Sequence, residues 1–439
     1  MSATLSFIGI IVGVLLFVLL CCRGNNLCVS AALGALVIIL FNIGSSENGI
    51  LGDVTGFWVT GVSNALKSYL LVFAMGGIFG KIMDVTGATK RIALTLLNGV
   101  FRKLKNQKFA VTMFLSIMYM IFTYVGVHGF LIVFLMVSLA RELLQANNLP
   151  WRFYCYGAAG ILPGYYLIGS VSSVNALGAT ITGGNAASGA PISIFYVVVY
   201  LLALVLLINL DIKSASKKGE TFEDTGTEIM KLDVAAGKSE DELPSALWSF
   251  IPMLVMIVVA ACGVSVVIAL VVGILLAIAC LFPYIKATLK QSVSLGASQT
   301  FPALLNVCGA AALGATIKNV AGYQVISTAL GSVTPLMGGV FIGILGTLFT
   351  GSSSSSLSAF GPTAFEYFTA AGIGSGTAHR LILFSTNWIY PPHNPGAVNA
   401  SATAKVPYKD AVLMYMKSSV FCNTIALVIS LILVAAGVF

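Results

Sequence analysis

Two stretches of this sequence combine polar side chains with backbone that cannot be a regular helix, and both lie inside long apolar runs. The first, Gly351 to Ser358, reads Gly-Ser-Ser-Ser-Ser-Ser-Leu-Ser. Hydroxyls of Ser352, Ser353, Ser354, Ser355 and Ser356, with backbone N–H groups at a helix start, would suit an anion without a buried cation, because the positive end of the helix dipole is there. A flexible serine linker has the same composition, but linkers are not usually bounded by apolar arms on both sides. The second stretch, Pro391-Pro392-His393-Asn394-Pro395-Gly396-Ala397-Val398-Asn399, has three prolines that remove donors and a glycine that tolerates unusual dihedrals. It reads as an unwound crossing, with Asn394, Gly396 and Asn399 as substrate contacts.

Matching breaks occur in the first half. Thr123 to Gly129 is a small polar interruption that includes His128, and Pro163 to Pro191 contains Gly169 to Asn175, from which Ser172, Ser173 and Asn175 are further candidate contacts. In hydrocarbon an unpaired backbone group costs several kcal/mol, so breaks at membrane depth are tolerated only against protein or a wet cavity. His393 could bind substrate, carry a coupling proton or cap a carbonyl. His128 and Glu366 are the other proton-coupling candidates, since ionisable groups within spans usually mark ion pathways. Glu366 and Asp84 read better as residues at the membrane boundary, and His379, beside Arg380, as a residue at an interface.

Other chemistries are not supported. Among the eight cysteines there is no CxxC pair and no His-rich ligand set, so a metal site and a disulfide framework are not expected. No GxxxxGK[ST] loop is present for ATP-driven transport, and no HExxH, paired-Asp or Ser/His/Asp set for an intramembrane enzyme. No catalytic residues and no cofactor are expected.

The elements that must position these residues are membrane spans. Of 439 residues, 58% are apolar and 9% charged, with a mean hydropathy of +0.98. Soluble domains carry roughly 25% charged residues. Nine of the fifteen acids fall between Asp211 and Glu242. The remaining basic excess flanks spans rather than marking nucleic-acid binding. Arg23, the Arg102 to Lys108 group, Lys286/Lys290 and Lys405/Lys409 should face the cytoplasm, with Glu47 and Asp53 on the opposite side. The partner surface is the lipid bilayer of the cell membrane.

Threading the chain with those sides fixed gives scaffold helices in 1–65, starting with Leu5 to Cys22 and Leu27 to Ile43. A first repeat follows in 66–210, with an interfacial amphipathic helix at 92–101 and a re-entrant hairpin near 109–146. Next come a flexible polar cytoplasmic linker in 211–246, scaffold helices in 247–297, and a second repeat in 298–439 with a hairpin near 330–373. The hairpins should enter from opposite faces. Gly80 and Gly87 recur as Gly314 and Gly322, and Arg152 with Pro163 recurs as Arg380 with Pro391. The expected fold is an all-α polytopic membrane protein with an inverted repeat, re-entrant hairpins and broken transmembrane helices, the architecture of alternating access.

At these breaks the chain resembles the gluconate permease family of proton-linked carboxylate transporters, within the wider ion transporter superfamily, over most of its length. The resemblance is carried by Gly76-Gly77-Ile78-Phe79-Gly80-Lys81, Gly87-Ala88-Thr89-Lys90-Arg91-Ile92-Ala93, Leu162-Pro163-Gly164, Ala378-His379-Arg380, Pro392 to Val398 and Tyr408-Lys409-Asp410. The Leu-Pro-Gly and Pro-His-Asn elements are closer to the hydroxybutyrate permease branch. Two features depart from gluconate permeases: Ser170 to Asn175 replace a Pro-Pro-His-Pro-Gly-Pro-Thr stretch, and Tyr124 stands where an acid is usual. The resemblance implies proton-coupled symport of a small hydroxy-monocarboxylate such as gluconate or hydroxybutyrate, a homodimer, and an elevator-like transport domain beside a scaffold. Hydroxyls and unwound carbonyls also suit Na⁺, which leaves sodium-coupled carboxylate uptake or sodium/proton exchange as the alternative.

Overall fold

The computed structural model describes every residue except 1, 100, 125, 127, 128, 171, 232–239, 263 and 330–332. Among the described residues the chain is helical, without strands, and six helices are long and apolar enough to cross a membrane: Ala3–Cys22, Leu27–Ser45, Gly49–Thr86, Ala190–Lys218, Leu289–Asn319 and Tyr408–Ala435. Their outer faces carry exposed Leu, Ile and Val, as expected where lipid is the solvent.

Between these spans lie two units with the same order of parts. In the first, Gln107–Tyr124 and Gly129–Ala146 form a hairpin, the short helices Tyr156–Tyr166 and Ser173–Thr182 flank a break, and the long helix Ala190–Lys218 follows. In the second, Pro335–Thr350 and Ser353–Ala370 form the hairpin, Ser375–Ser385 and Pro395–Ala404 flank the break, and Tyr408–Ala435 follows. The first hairpin begins beside Lys105 and Lys108, and the second begins at the opposite end. There Ser6, Asn42, Asp53 and Gly322 are joined: Ser6 Oγ donates to Asn42 Oδ1 at 2.8 Å, Asn42 Nδ2 to Asp53 Oδ2 at 3.2 Å, and the Gly322 N–H to Ser6 Oγ at 2.9 Å. The inverted arrangement expected from the breaks is the one observed.

Packing joins the two units across the middle. The half-helix Ser173–Thr182 packs on the hairpin arm Ser353–Ala370, and Pro395–Ala404 packs on the hairpin arm Gly129–Ala146. The long helices Ala190–Lys218 and Tyr408–Ala435 pack on each other, where Tyr196 Oη donates to Asn423 Oδ1 at 2.9 Å. Gly160 brings its helix so close to Ser116 that a Cβ would overlap the Ser116 carbonyl.

Several boundaries differ from the sequence expectation. Asp211 is not in a flexible linker: the helix Ala190–Lys218 carries it inward, 5% exposed, where Tyr156 Oη donates to it at 2.5 Å and Lys417 pairs with it. Charge density suggested a solvated connector, but the Tyr156 hydroxyl and the half-exposed Lys417 satisfy the buried acid. The connector starts at Gly219, which ends the helix at φ 67°, and contains its own helix, Glu223–Met230. Helices also run through the expected boundaries at 65/66 and 297/298. The helix expected at 92–101 along the interface is Ala88–Gly99, and it buries Ile92 and Ala93 against the core.

The breaks are shorter than their proline content suggested. Pro163 lies within the helix Tyr156–Tyr166, and the helix Ser173–Thr182 divides the rest, so that among the described residues 167–170, 172 and 183–189 are irregular. Pro395 starts a helix, where its missing N–H costs nothing, so Gly396 and Asn399 are helical and the irregular segment is 386–394.

Candidate functional site

The second hairpin tip and the second break meet the starts of the hairpin arm Gly129–Ala146 and of the half-helix Ser173–Thr182 around one cavity. The second tip turns at Gly351, whose φ is 70°, a region a side chain disfavours. A Cβ at this position would also meet the His393 ring. Ser352 is extended, and the helix begins at Ser353 without a side-chain cap. The first-turn N–H groups of a helix have no intrahelical acceptor, so Ser353, Ser354 and Ser355 present both hydroxyls and unsatisfied donors.

Opposite them, Asn394 links two elements. Its Nδ2 donates to the Gly351 carbonyl at 2.8 Å, and its Oδ1 accepts from the N–H groups of Gly396 at 2.8 Å and Ala397 at 3.3 Å. One amide thereby closes the start of the helix Pro395–Ala404 and anchors the second tip. The positive end at Ser353 stays open.

Between these groups is a cavity of about 130 Å³ lined by Ser352, Ser353, Ser354, Ser355, Asn394, Gly396 and Asn399. The first half contributes Gly129 from its hairpin and Val174 from its broken helix. Four tyrosines, Tyr69, Tyr165, Tyr390 and Tyr415, form much of the remaining wall. The arrangement offers hydroxyl and N–H donors to one end of a solute and aromatic surface to the other. A cavity of about 150 Å³ is known to hold benzene, so the volume matches a solute of about six or seven non-hydrogen atoms.

The other residues selected from sequence lie elsewhere. Ser356 is fully buried and donates to the Gly343 carbonyl at 3.2 Å, closing the hairpin arms on each other. Ser172 caps its half-helix by accepting from the Asn175 N–H at 3.3 Å, and Ser173 is exposed away from the cavity lining. Asn175 serves the backbone, donating to the Ser170 carbonyl at 2.8 Å and the Ala186 carbonyl at 3.2 Å. Glu366 is exposed on the hairpin arm Ser353–Ala370, well along the helix from the tip. His128 lies outside the described residues. His393 is 1% exposed behind the second tip, with Nε2 3.0 Å from the Phe349 carbonyl. That contact requires a proton on Nε2, while Nδ1 meets no partner among the described residues.

Sequence reasoning underrated Arg380. Its guanidinium is fully buried, and no carboxylate partners it among the described residues. It donates instead to the carbonyls of Ser188 at 2.6 Å, Tyr166 at 3.2 Å and Ala186 at 2.8 Å, and to Asn175 Oδ1 at 2.9 Å. An arginine of the second unit thereby closes the backbone of the first unit's break. The available signal was its recurrence with Arg152, together with the rule that buried arginines in spans need partners.

No protein-family model matches the chain. It is similar to the uncharacterized transporter YxjC of Bacillus subtilis (strain 168), with 23% identity over 460 residues, 91% of this chain and 94% of that protein. Among solved structures it is similar to the YdaH transporter of Alcanivorax borkumensis, a protein reported to have an unusual topology. That comparison has a TM-score of 0.40 and 15% identity, and covers 88% of this chain and 87% of the other. The chain is an all-α polytopic membrane protein, similar over nearly its whole length to a protein named as a transporter.

Proposed function

We propose that this protein is a secondary active transporter of the cell membrane that carries a small hydroxy-monocarboxylate by proton-coupled symport, as its resemblance to the gluconate permease family implies. One observation carries the reading: the uncapped helix start at Ser353 to Ser355 faces a small cavity built from two oppositely directed hairpins and two broken helices. A carboxylate there meets hydroxyls and a helix N-terminus, while its carbon chain meets tyrosines. The volume favours a hydroxypropionate or hydroxybutyrate over gluconate, which is roughly twice that size, and so supports the hydroxybutyrate branch.

Proton coupling is supported over sodium coupling by the state of the carbonyls at the breaks. A sodium site would recruit unwound carbonyls. Many of those here already accept side-chain donors: Tyr166, Ala186 and Ser188 from Arg380, Ile168 from Tyr124, Phe349 from His393, Thr386 from Thr347, Asn387 from Asn423 and Pro392 from Tyr408. His393, whose buried Nδ1 meets no partner among the described residues, is the proton carrier in this reading.

The Arg380 bridge makes both breaks parts of one block. This supports an elevator-like movement of that block, formed from the two hairpins and their half-helices, against a scaffold that includes the spans Ala3–Cys22 and Leu27–Ser45 of a homodimer. The deciding experiment is uptake of labelled 3-hydroxybutyrate into proteoliposomes. A pH gradient alone should drive accumulation. Accumulation driven only by a Na⁺ gradient would replace the proton with sodium, and none under either gradient would reject carboxylate symport.

A further inference from the structure

A second and larger cavity, of about 520 Å³, lies one helical turn from the central one on the side marked by basic residues. Its wall includes Lys81, Arg141, Lys231 and Lys405, the hydroxyls Ser138, Thr300 and Thr403, and a single acid, Asp84. Arg141 pairs with Asp84 at 3.2 Å and with Glu142 at 3.3 Å, and Lys231 pairs with Glu228 at 2.5 Å. Lys81 and Lys405 have no carboxylate partner among the described residues, and Lys405 Nζ donates only to the Ala402 carbonyl, at 2.8 Å. Among the described residues the vestibule therefore carries excess positive charge, with Lys81 half-buried in its wall and Lys231 and Lys405 at its exposed rim, a setting that concentrates anions.

Its separation from the central cavity is thin. Val133 lines the central cavity and Val137, one turn along the same helix, lines the vestibule. On the facing half-helix Asn399 lines the centre and Thr403 the vestibule, and Thr403 Oγ1 donates to Asn399 Oδ1 at 2.8 Å.

We propose that this vestibule is a second anion site, which holds a small carboxylate between the cytosol and the central cavity, with Lys81 and Lys405 as counter-charges and with Thr403 and Asn399, bonded to each other along one helix, as the polar step between the two. The identity of the anion rests on the function proposed above, but the existence of the site does not. An anion held here raises the local supply to the central site on one face only. It also predicts binding of more than one carboxylate per chain, the weaker of the two sensitive to salt.

The test is equilibrium binding of labelled 3-hydroxybutyrate to the full-length protein in phosphatidylcholine nanodiscs at low ionic strength. Wild type should bind about two per chain, and 200 mM potassium chloride should remove one. Ser354→Ala should lose the salt-resistant site and keep the other, whereas the double variant Lys81→Gln/Lys405→Gln should lose the salt-sensitive one, weakening it at least threefold. A single site in wild type, or a salt-sensitive site untouched by the double lysine variant, would overturn the proposal. Loss of that site in phosphatidylglycerol discs alone would assign the vestibule to lipid headgroups and overturn it as a carboxylate site. Failure of transport with both binding sites intact would instead reject the proposed function and leave the vestibule standing. Size-exclusion profiles identify any variant that does not fold, and Lys81→Arg, which keeps the charge, should bind as wild type.

Discussion

Asn394 donates to the carbonyl of Gly351 at 2.8 Å while its own oxygen caps the helix that follows it, so the second hairpin tip and the second broken helix share one amide. Only a side chain with both a donor and an acceptor can do this. Asn394→Asp exchanges the donor for a carboxylate beside the proposed anion site and should reduce uptake at least tenfold. Asn394→Ala should also lose about 1 kcal/mol of cap. Vesicle uptake alongside melting of the purified protein separates the two effects, and near-normal uptake by Asn394→Asp would remove Asn394 from the site.

Two serines in the same run should behave in opposite ways. Ser354→Ala removes a hydroxyl from the cavity wall and should impair uptake with little change in melting temperature. Ser356→Ala removes the bond to Gly343, and should destabilise by about 1 kcal/mol with the half-saturation concentration unchanged. If both variants transported like wild type, the serine run would not be the binding element.

Gly351→Ala combines a backbone penalty at φ 70° with overlap against the His393 ring. Left-handed backbone at a non-glycine residue costs roughly 1–2 kcal/mol, and the overlap adds to it. Removing the ring in a His393→Ala background should recover part of the loss but not the backbone share. Thermal unfolding of the single and double variants measures that coupling, and strict additivity would mean that the two residues do not touch.

His393→Gln keeps a donor for the Phe349 carbonyl but cannot take up a proton near neutral pH. Uptake by wild type should rise as the external side is acidified, and the variant should respond far less to the same gradient. An unchanged pH response would move proton coupling to another residue.

Arg380→Gln gives up most of four hydrogen bonds in a site away from water. Breaking such a buried charged network costs roughly 3–5 kcal/mol, so the folded yield after extraction should collapse. Arg380→Lys, a point charge without the planar fork, should rescue only part of it. A monodisperse and stable Arg380→Gln variant would contradict the bracing role.

Much of the fold was legible because hydrocarbon imposes strict rules. Apolar length marked spans such as Leu5 to Cys22, and a polar run between apolar arms marked both hairpins. The serines at 352–355, Asn394, Gly396 and Asn399 stood out because polar groups at that depth need a reason. What composition could not resolve was how each polar group is satisfied. Whether Ser356 faces a cavity or the Gly343 carbonyl, whether Asp211 is solvated or paired with Lys417, and which carbonyls hold Arg380 all depend on contacts between residues distant in sequence. The four wall tyrosines come from three separate helices and the second break, and share no local pattern. Local chemistry marked which regions interrupt the spans and which groups could meet an anion, while tertiary packing alone decided which of them share one cavity, because hydrogen-bond geometry is settled only when the two inverted units close on each other.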